Sequence, residues 1–229
     1  MLGISAMKKA NLLRMLGVGV LSVAGVGWTF VNLRTAYERR YPPTTEPASV
    51  VADWQAYAGA GQRLGPKSAI VTVVVFSDYQ CSFCAAANRI LRDLRARYPT
   101  SLAEVIRHYP LPEHRAAADA ARAAVCADGD GRFESFNDRL FSGADSIGSK
   151  SLASYAIEAG IVDTLAFRLC VTAAQTDTAV ANDLAAGRRL RANRTPTLLV
   201  NNEMYEGLPP DLDRVVARKI AAEVRARRQ

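Results

Sequence analysis

Metal ligands are scarce in this chain. Its 229 residues hold two histidines, His108 and His114, and four cysteines, of which Cys126 and Cys170 stand isolated. A structural zinc site takes four ligands, usually as two close pairs, so the remaining pair, Cys81 and Cys84, has nothing to complete a metal shell. Neither a metal nor a cofactor is expected. Basic residues interleaved with glycine and aromatics are also missing, which argues against nucleic acid as a partner. The excess of 29 Lys and Arg over 22 Asp and Glu, formally +7, then reads as a solvated basic surface. Apolar residues are not short: at 49% they suffice for one sizeable core.

Charge is nearly absent from residues 12–33, an apolar run preceded by Lys8 and Lys9 and interrupted only by Arg14, Asn32 and small hydroxyl residues. About twenty such residues cross a bilayer. Ser22 and Ala24 would satisfy a small-x-small cleavage rule, but the run continues through Val26, Trp28, Phe30 and Val31, so a membrane anchor or uncleaved signal is expected there. Lys8, Lys9 and Arg14 are nearly balanced by Arg34, Arg39 and Arg40. The expected arrangement is a cytoplasmic N-terminus over residues 1–11, a single pass through the cell membrane, and a catalytic domain in the periplasm or extracytoplasmic space. Residues 34–64 read as a linker, proline-rich at Tyr41-Pro42-Pro43, with a short helix around Trp54 and punctuation at Gly59, Gly61 and Gly65.

Residues 69–76, Ala-Ile-Val-Thr-Val-Val-Val-Phe, form an unbroken β-branched run that predicts a buried central strand. Beyond the cysteines, Phe83, Ala87, Ile90, Leu91, Leu94 and Tyr98 share one helical face, with Arg89, Arg92, Asp93 and Arg95 opposite, until Pro99 ends the helix. A second strand over 102–109 completes a β-α-β unit with a right-handed crossover. No strand pattern interrupts the next eighty or so residues, which predict helices near 114–127, 132–141, 151–159, 163–174 and 177–192. A hairpin over 197–206, turned at Asn201-Asn202, and a helix from Asp211 close the chain. The globular part thus divides into a first half (65–112), a helical insert (113–192) and a second half (193–229).

The cysteine pair begins where the buried strand ends and the amphipathic helix starts. A thiol there meets unpaired backbone N–H groups and the positive end of the helix dipole, which lowers its pKa. Cys81 is therefore the candidate nucleophile. Cys84, one turn on and facing the same side, is the candidate resolving thiol. Closing so short a loop removes little unfolded-state entropy, so a purely structural staple explains the pair poorly.

The stretch Val-Val-Phe-Ser-Asp-Tyr-Gln-Cys-Ser-Phe-Cys over 74–84, the helical insert, and Arg194-Thr195-Pro196-Thr197 together resemble the DsbA-like thiol:disulfide oxidoreductases. The resemblance spans about residue 65 to the end of the chain. It implies an α/β, thioredoxin-like fold with an inserted all-helical subdomain, here preceded by the N-terminal membrane-spanning helix. It also implies that Pro196 is cis and faces the cysteines, whereas the residues alone suggest a trans proline opening a strand. Thr195 and Pro196 would then bind an extended client peptide by strand addition. The implied activity is the introduction of disulfides into secreted or envelope proteins. The implied partners are reduced, unfolded clients and a membrane-bound protein that resets the thiol pair. Ser82-Phe83 departs from the Pro or His common between the cysteines of relatives. Only about thirty residues separate anchor and fold, too few for the dimerisation domain of an isomerase, so a monomeric oxidase is expected. A reductase or isomerase is the alternative within this chemistry, and a redox-inert binding module the alternative outside it.

Several residues keep two readings. Cys126 and Cys170 are either inert buried thiols or, outside the cytoplasm, a structural disulfide contributing about 4 kcal/mol. Asp78 is a turn residue or a proton relay for the cysteines. His114 reads as an ordinary helix-start residue. The glycosylation sequon at Asn193-Arg194-Thr195 lies against the implied client groove and reads as chance.

Overall fold

The computed structural model describes residues 49–229. The expected cytoplasmic N-terminus, the anchor and the first part of the linker lie outside these residues. Among the described residues no helix is long and apolar enough to cross a membrane.

The elements are β1 (Ser49–Val50), α1 (Trp54–Ala58), β2 (Gln62–Leu64), β3 (Val71–Ser77), α2 (Ser82–Arg97) and β4 (Leu102–His108), followed by the insert helices α3 (Ala117–Gly129), α4 (Phe133–Ser142), α5 (Leu152–Glu158), α6 (Thr164–Val171) and α7 (Ala174–Arg189). The hairpin β5 (Thr197–Val200) and β6 (Glu203–Glu206) and helix α8 (Leu212–Ala226) complete the fold. The six strands run in the order β1-β6-β5-β3-β4-β2, with β3 and β4 parallel and every other pair antiparallel. This is the thioredoxin-like β-α-β, helical insert, β-β-α plan.

Every residue of β3 is buried because both faces of the sheet are covered. Val71, Val73 and Val75 pack with Leu91 and Leu94 of α2 and Val215, Val216 and Ile220 of α8. Val74 and Phe76 point the other way, against Tyr57 of α1 and Ala186 and Leu190 around α7. Alternation along the strand thus serves two cores, which is why the run carries no polar face. At the hairpin, Asn201 takes the positive φ of 50° the turn requires. Its side-chain Oδ1 accepts from the Thr72 N–H at 2.8 Å, pinning the turn to the central strand.

Residues 49–64 correct the linker reading, because they add β1 and β2 to opposite edges of the sheet. At two and three residues these strands are too short to show a period. Gly61 and Gly65, read as punctuation, flank β2 with φ of +91° and +89° and lie so close to β4 that a Cβ at either would strike its backbone. They let the chain hug the sheet edge. The insert helices fall within a few residues of expectation, α7 starting earlier, at Ala174.

Candidate active site

β3 ends at Ser77, and the Asp78-Tyr79-Gln80 turn delivers the chain to Cys81, the N-cap of α2. The turn is held by its own side chains. Asp78 Oδ1 accepts from the Gln80 N–H at 2.7 Å, and Oδ2 accepts from the Leu111 N–H at 2.7 Å in the loop after β4. His114 Nδ1 lies 2.9 Å from the same Oδ2. Gln80 Oε1 in turn accepts from the Ala116 N–H at 2.8 Å. Asp78 thus fastens two loops at the strand ends. Its carboxylate meets backbone and His114, while its backbone N–H points at Cys84 Sγ, 3.5 Å away.

Cys81 and Cys84 are free thiols in this structure, both buried. Cys81 caps α2 with extended φ and ψ of −85° and 118° and makes no side-chain cap hydrogen bond. Cys81 Sγ lies 3.4 Å from the Thr195 carbonyl oxygen, so the strand-end loop and the thiol share one surface. The Thr195–Pro196 bond is cis, as the resemblance implies.

The two thiols are electrically unequal. A hydrogen bond from the Cys84 thiol lowers the Cys81 pKa most; burial opposes it, and the Thr195 side chain and the first backbone N–H groups of α2 add to the lowering, bringing it to about 5 from an ordinary 9.0. Burial pushes the Cys84 thiol far above its ordinary value, and the proximity of Cys81 adds to that. One sulfur is thus a thiolate at neutral pH and its neighbour a thiol that donates to it. Cys84 packs into the core of the insert with Tyr79, Phe136 and Leu140, which explains its desolvation.

Cys126 and Cys170 form a disulfide with a Cα separation of 5.9 Å, linking α3 to α6. The bridged reading holds, and the pair lies in the same apolar cluster as Cys84. Among the described residues no three His, Cys, Asp or Glu side chains gather as a metal site would need.

Three contributors escaped the sequence reading. Tyr79, buried at 2% exposure, donates from its hydroxyl to Asn137 Oδ1 at 3.1 Å and so ties the active-site turn to α4. His114 is a partner of Asp78, and Gln80 a clasp on the start of the insert. All three sit beside the motif or at the start of the insert, but their partners are 36 to 58 residues away in sequence. Phe83 reverses its expected placement: the residue is 62% exposed, because at the first turn of α2 the inward direction is already taken by Cys84.

A profile of the thioredoxin family matches residues 58–216. An Na(+)/H(+) antiporter NhaA 3 of Salinispora tropica is 33% identical over 164 residues, 71% of this chain and 25% of that protein. The chain spans about a quarter of the length of the curated relatives it matches. Among solved structures, a thioredoxin-like oxidoreductase from Silicibacter pomeroyi DSS-3 is 27% identical with a TM-score of 0.61, covering 73% of this chain and 92% of that one. The thiol-disulfide exchange protein alpha-DsbA2 from Wolbachia pipientis shares the fold at 20% identity and a TM-score of 0.66, over 75% and 92%.

Proposed function

Because the chain belongs to the thioredoxin family, we propose that it is a DsbA-like thiol:disulfide oxidoreductase that works as an oxidase, introducing disulfides into secreted or envelope proteins outside the cytoplasm. The inequality of the two thiols carries this reading. A Cys81 pKa of about 5 stabilises the reduced protein at neutral pH, and a couple whose reduced form is stabilised is an oxidant. The value falls between the roughly 7 of thioredoxin and the roughly 3.5 of DsbA.

In the forward reaction a client thiolate attacks Cys81 Sγ of the oxidised pair. The Cys81–Cys84 bond breaks and Cys84 leaves as a thiolate, which takes up a proton in its buried position. A second client thiolate then attacks the client sulfur of the mixed disulfide, and Cys81 leaves as the stabilised thiolate. Two electrons have passed from client to enzyme, and the client keeps a new disulfide. A membrane-bound partner accepts those electrons and restores the Cys81–Cys84 bond. Thr195 and Pro196 would hold the client extended beside Cys81 through main-chain hydrogen bonds, which suits many unrelated sequences.

The apolar run at residues 12–33 supports a domain tethered to the membrane, and the Cys126–Cys170 disulfide supports an oxidising compartment. The test is direct. Oxidised full chain in detergent is mixed with a reduced dithiol peptide, which it should oxidise one for one, and Cys81→Ser should abolish this. Equilibration with glutathione gives the direction: a potential as low as thioredoxin's, about −270 mV, would refute the oxidase reading.

A further inference from the structure

We propose that Phe83 reads the client, by covering a large apolar side chain two positions from the client's reactive cysteine. The inference rests on the thiol exchange proposed above and adds a selectivity that main-chain pairing at Thr195 does not supply.

Phe83 is 62% exposed between two cysteines that are 8% and 1% exposed. An aromatic ring left in water forfeits most of what its burial would contribute to stability. The first turn of a helix has no need of it, since Ser82 beside it is a small polar residue that is also exposed. The ring is therefore free to be covered by whatever is joined to Cys81.

Geometry says which part of the client that is. Two residues along a helix, the Cα atoms of Cys81 and Phe83 are about 5.5 Å apart. In an extended peptide successive side chains point to opposite faces, while residues two apart share a face about 6.8 Å from each other. A client cysteine bonded to Cys81 Sγ turns that face toward α2, so the side chain that reaches Phe83 is the one two positions away. Its immediate neighbours point from the opposite face. The client class is thus an unfolded segment with Leu, Ile, Phe or a similar residue at that spacing from the cysteine.

The experiment uses the full chain in detergent with Cys84→Ser, so that Cys81 forms a mixed disulfide and stops there. Single-cysteine peptides carry thionitrobenzoate on the sulfur. The Cys81 thiolate attacks the peptide sulfur and the coloured thiolate is released, so the rate is read by absorbance. Each peptide has Leu or Ser at one position, −2, −1, +1 or +2 from the cysteine. With Phe83 intact, Leu at −2 or +2 should react about fivefold to tenfold faster than Ser there, the order that one apolar contact supplies. Phe83→Ser should bring that ratio to about one, and Phe83→Leu should keep most of it. Because each ratio compares two peptides on one variant, a change in the Cys81 pKa cancels. A ratio that survives Phe83→Ser, or a preference confined to −1 and +1, overturns the inference. No reaction with any peptide would instead remove the thiol chemistry beneath it, and the inference with it.

Discussion

Replacing Cys84 with alanine removes the hydrogen bond that contributes most to the low Cys81 pKa. In the native protein that pKa is about 5 against an ordinary 9.0. At pH 7, two units above the first and two below the second, the thiolate form stabilises the reduced protein by roughly 3 kcal/mol. For a two-electron couple this raises the reduction potential by about 60 mV. The sign follows from the direction of the shift. The contribution is absent below pH 5, grows between pH 5 and 9, and is constant above 9. The potential of the native pair should therefore fall by about 60 mV per pH unit below pH 5, where reduction takes up two protons, and by about 30 mV per unit above it, where only Cys84 binds one. Thiolate absorbance near 240 nm, followed from pH 3 to 10, should show one transition near 5. With Cys84→Ala the midpoint should climb by at least about one unit, and Cys84→Ser, which keeps a donor, should fall between. A native midpoint above about 7.5, or no movement in the alanine variant, would refute the assignment of the low pKa to Cys84.

Other consequences reach into the scaffold. Cys126→Ser with Cys170→Ser opens a bridge 44 residues apart and should cost about 4 kcal/mol, read from denaturant midpoints, with the Cys81 titration unmoved. Gly187→Ala places a methyl group against the Tyr109 ring and Phe76 behind the central strand, and should cost about 1–3 kcal/mol by overpacking. His108 is fully buried, and desolvation, aided by Arg107, lowers its pKa to about 3 from 6.5. The stability this contributes is complete above pH 6.5 and lost as pH falls toward 3. His108→Leu should flatten the acid limb of the stability curve between those values, and an unchanged limb would show that other groups control it.

Much of the fold was legible from residues 69–76 and the helix after Cys81, because a β-branched run and a 3.6-residue pattern each record their burial locally. The hairpin at Asn201-Asn202 and the insert helices were legible for the same reason. β1 and β2 were not, since two- and three-residue strands owe their existence to pairing with β6 and β4. The placement of Phe83 misled because periodicity gives a face and not what occupies it at the end of a helix, where Cys84 already points inward.

Sequence alone specifies the chemistry on offer: two thiols one turn apart at a strand-to-helix junction, with no second close pair of Cys or His in the sequence to complete a metal shell. Tertiary structure decided how that chemistry is divided. Cys84 sinks into a core built by the insert helices, Thr195 closes on Cys81 from 114 residues away, and Asp78 fastens Leu111 and His114. Desolvation and hydrogen bonding set a pKa, and both depend on groups that only folding brings within a few ångströms.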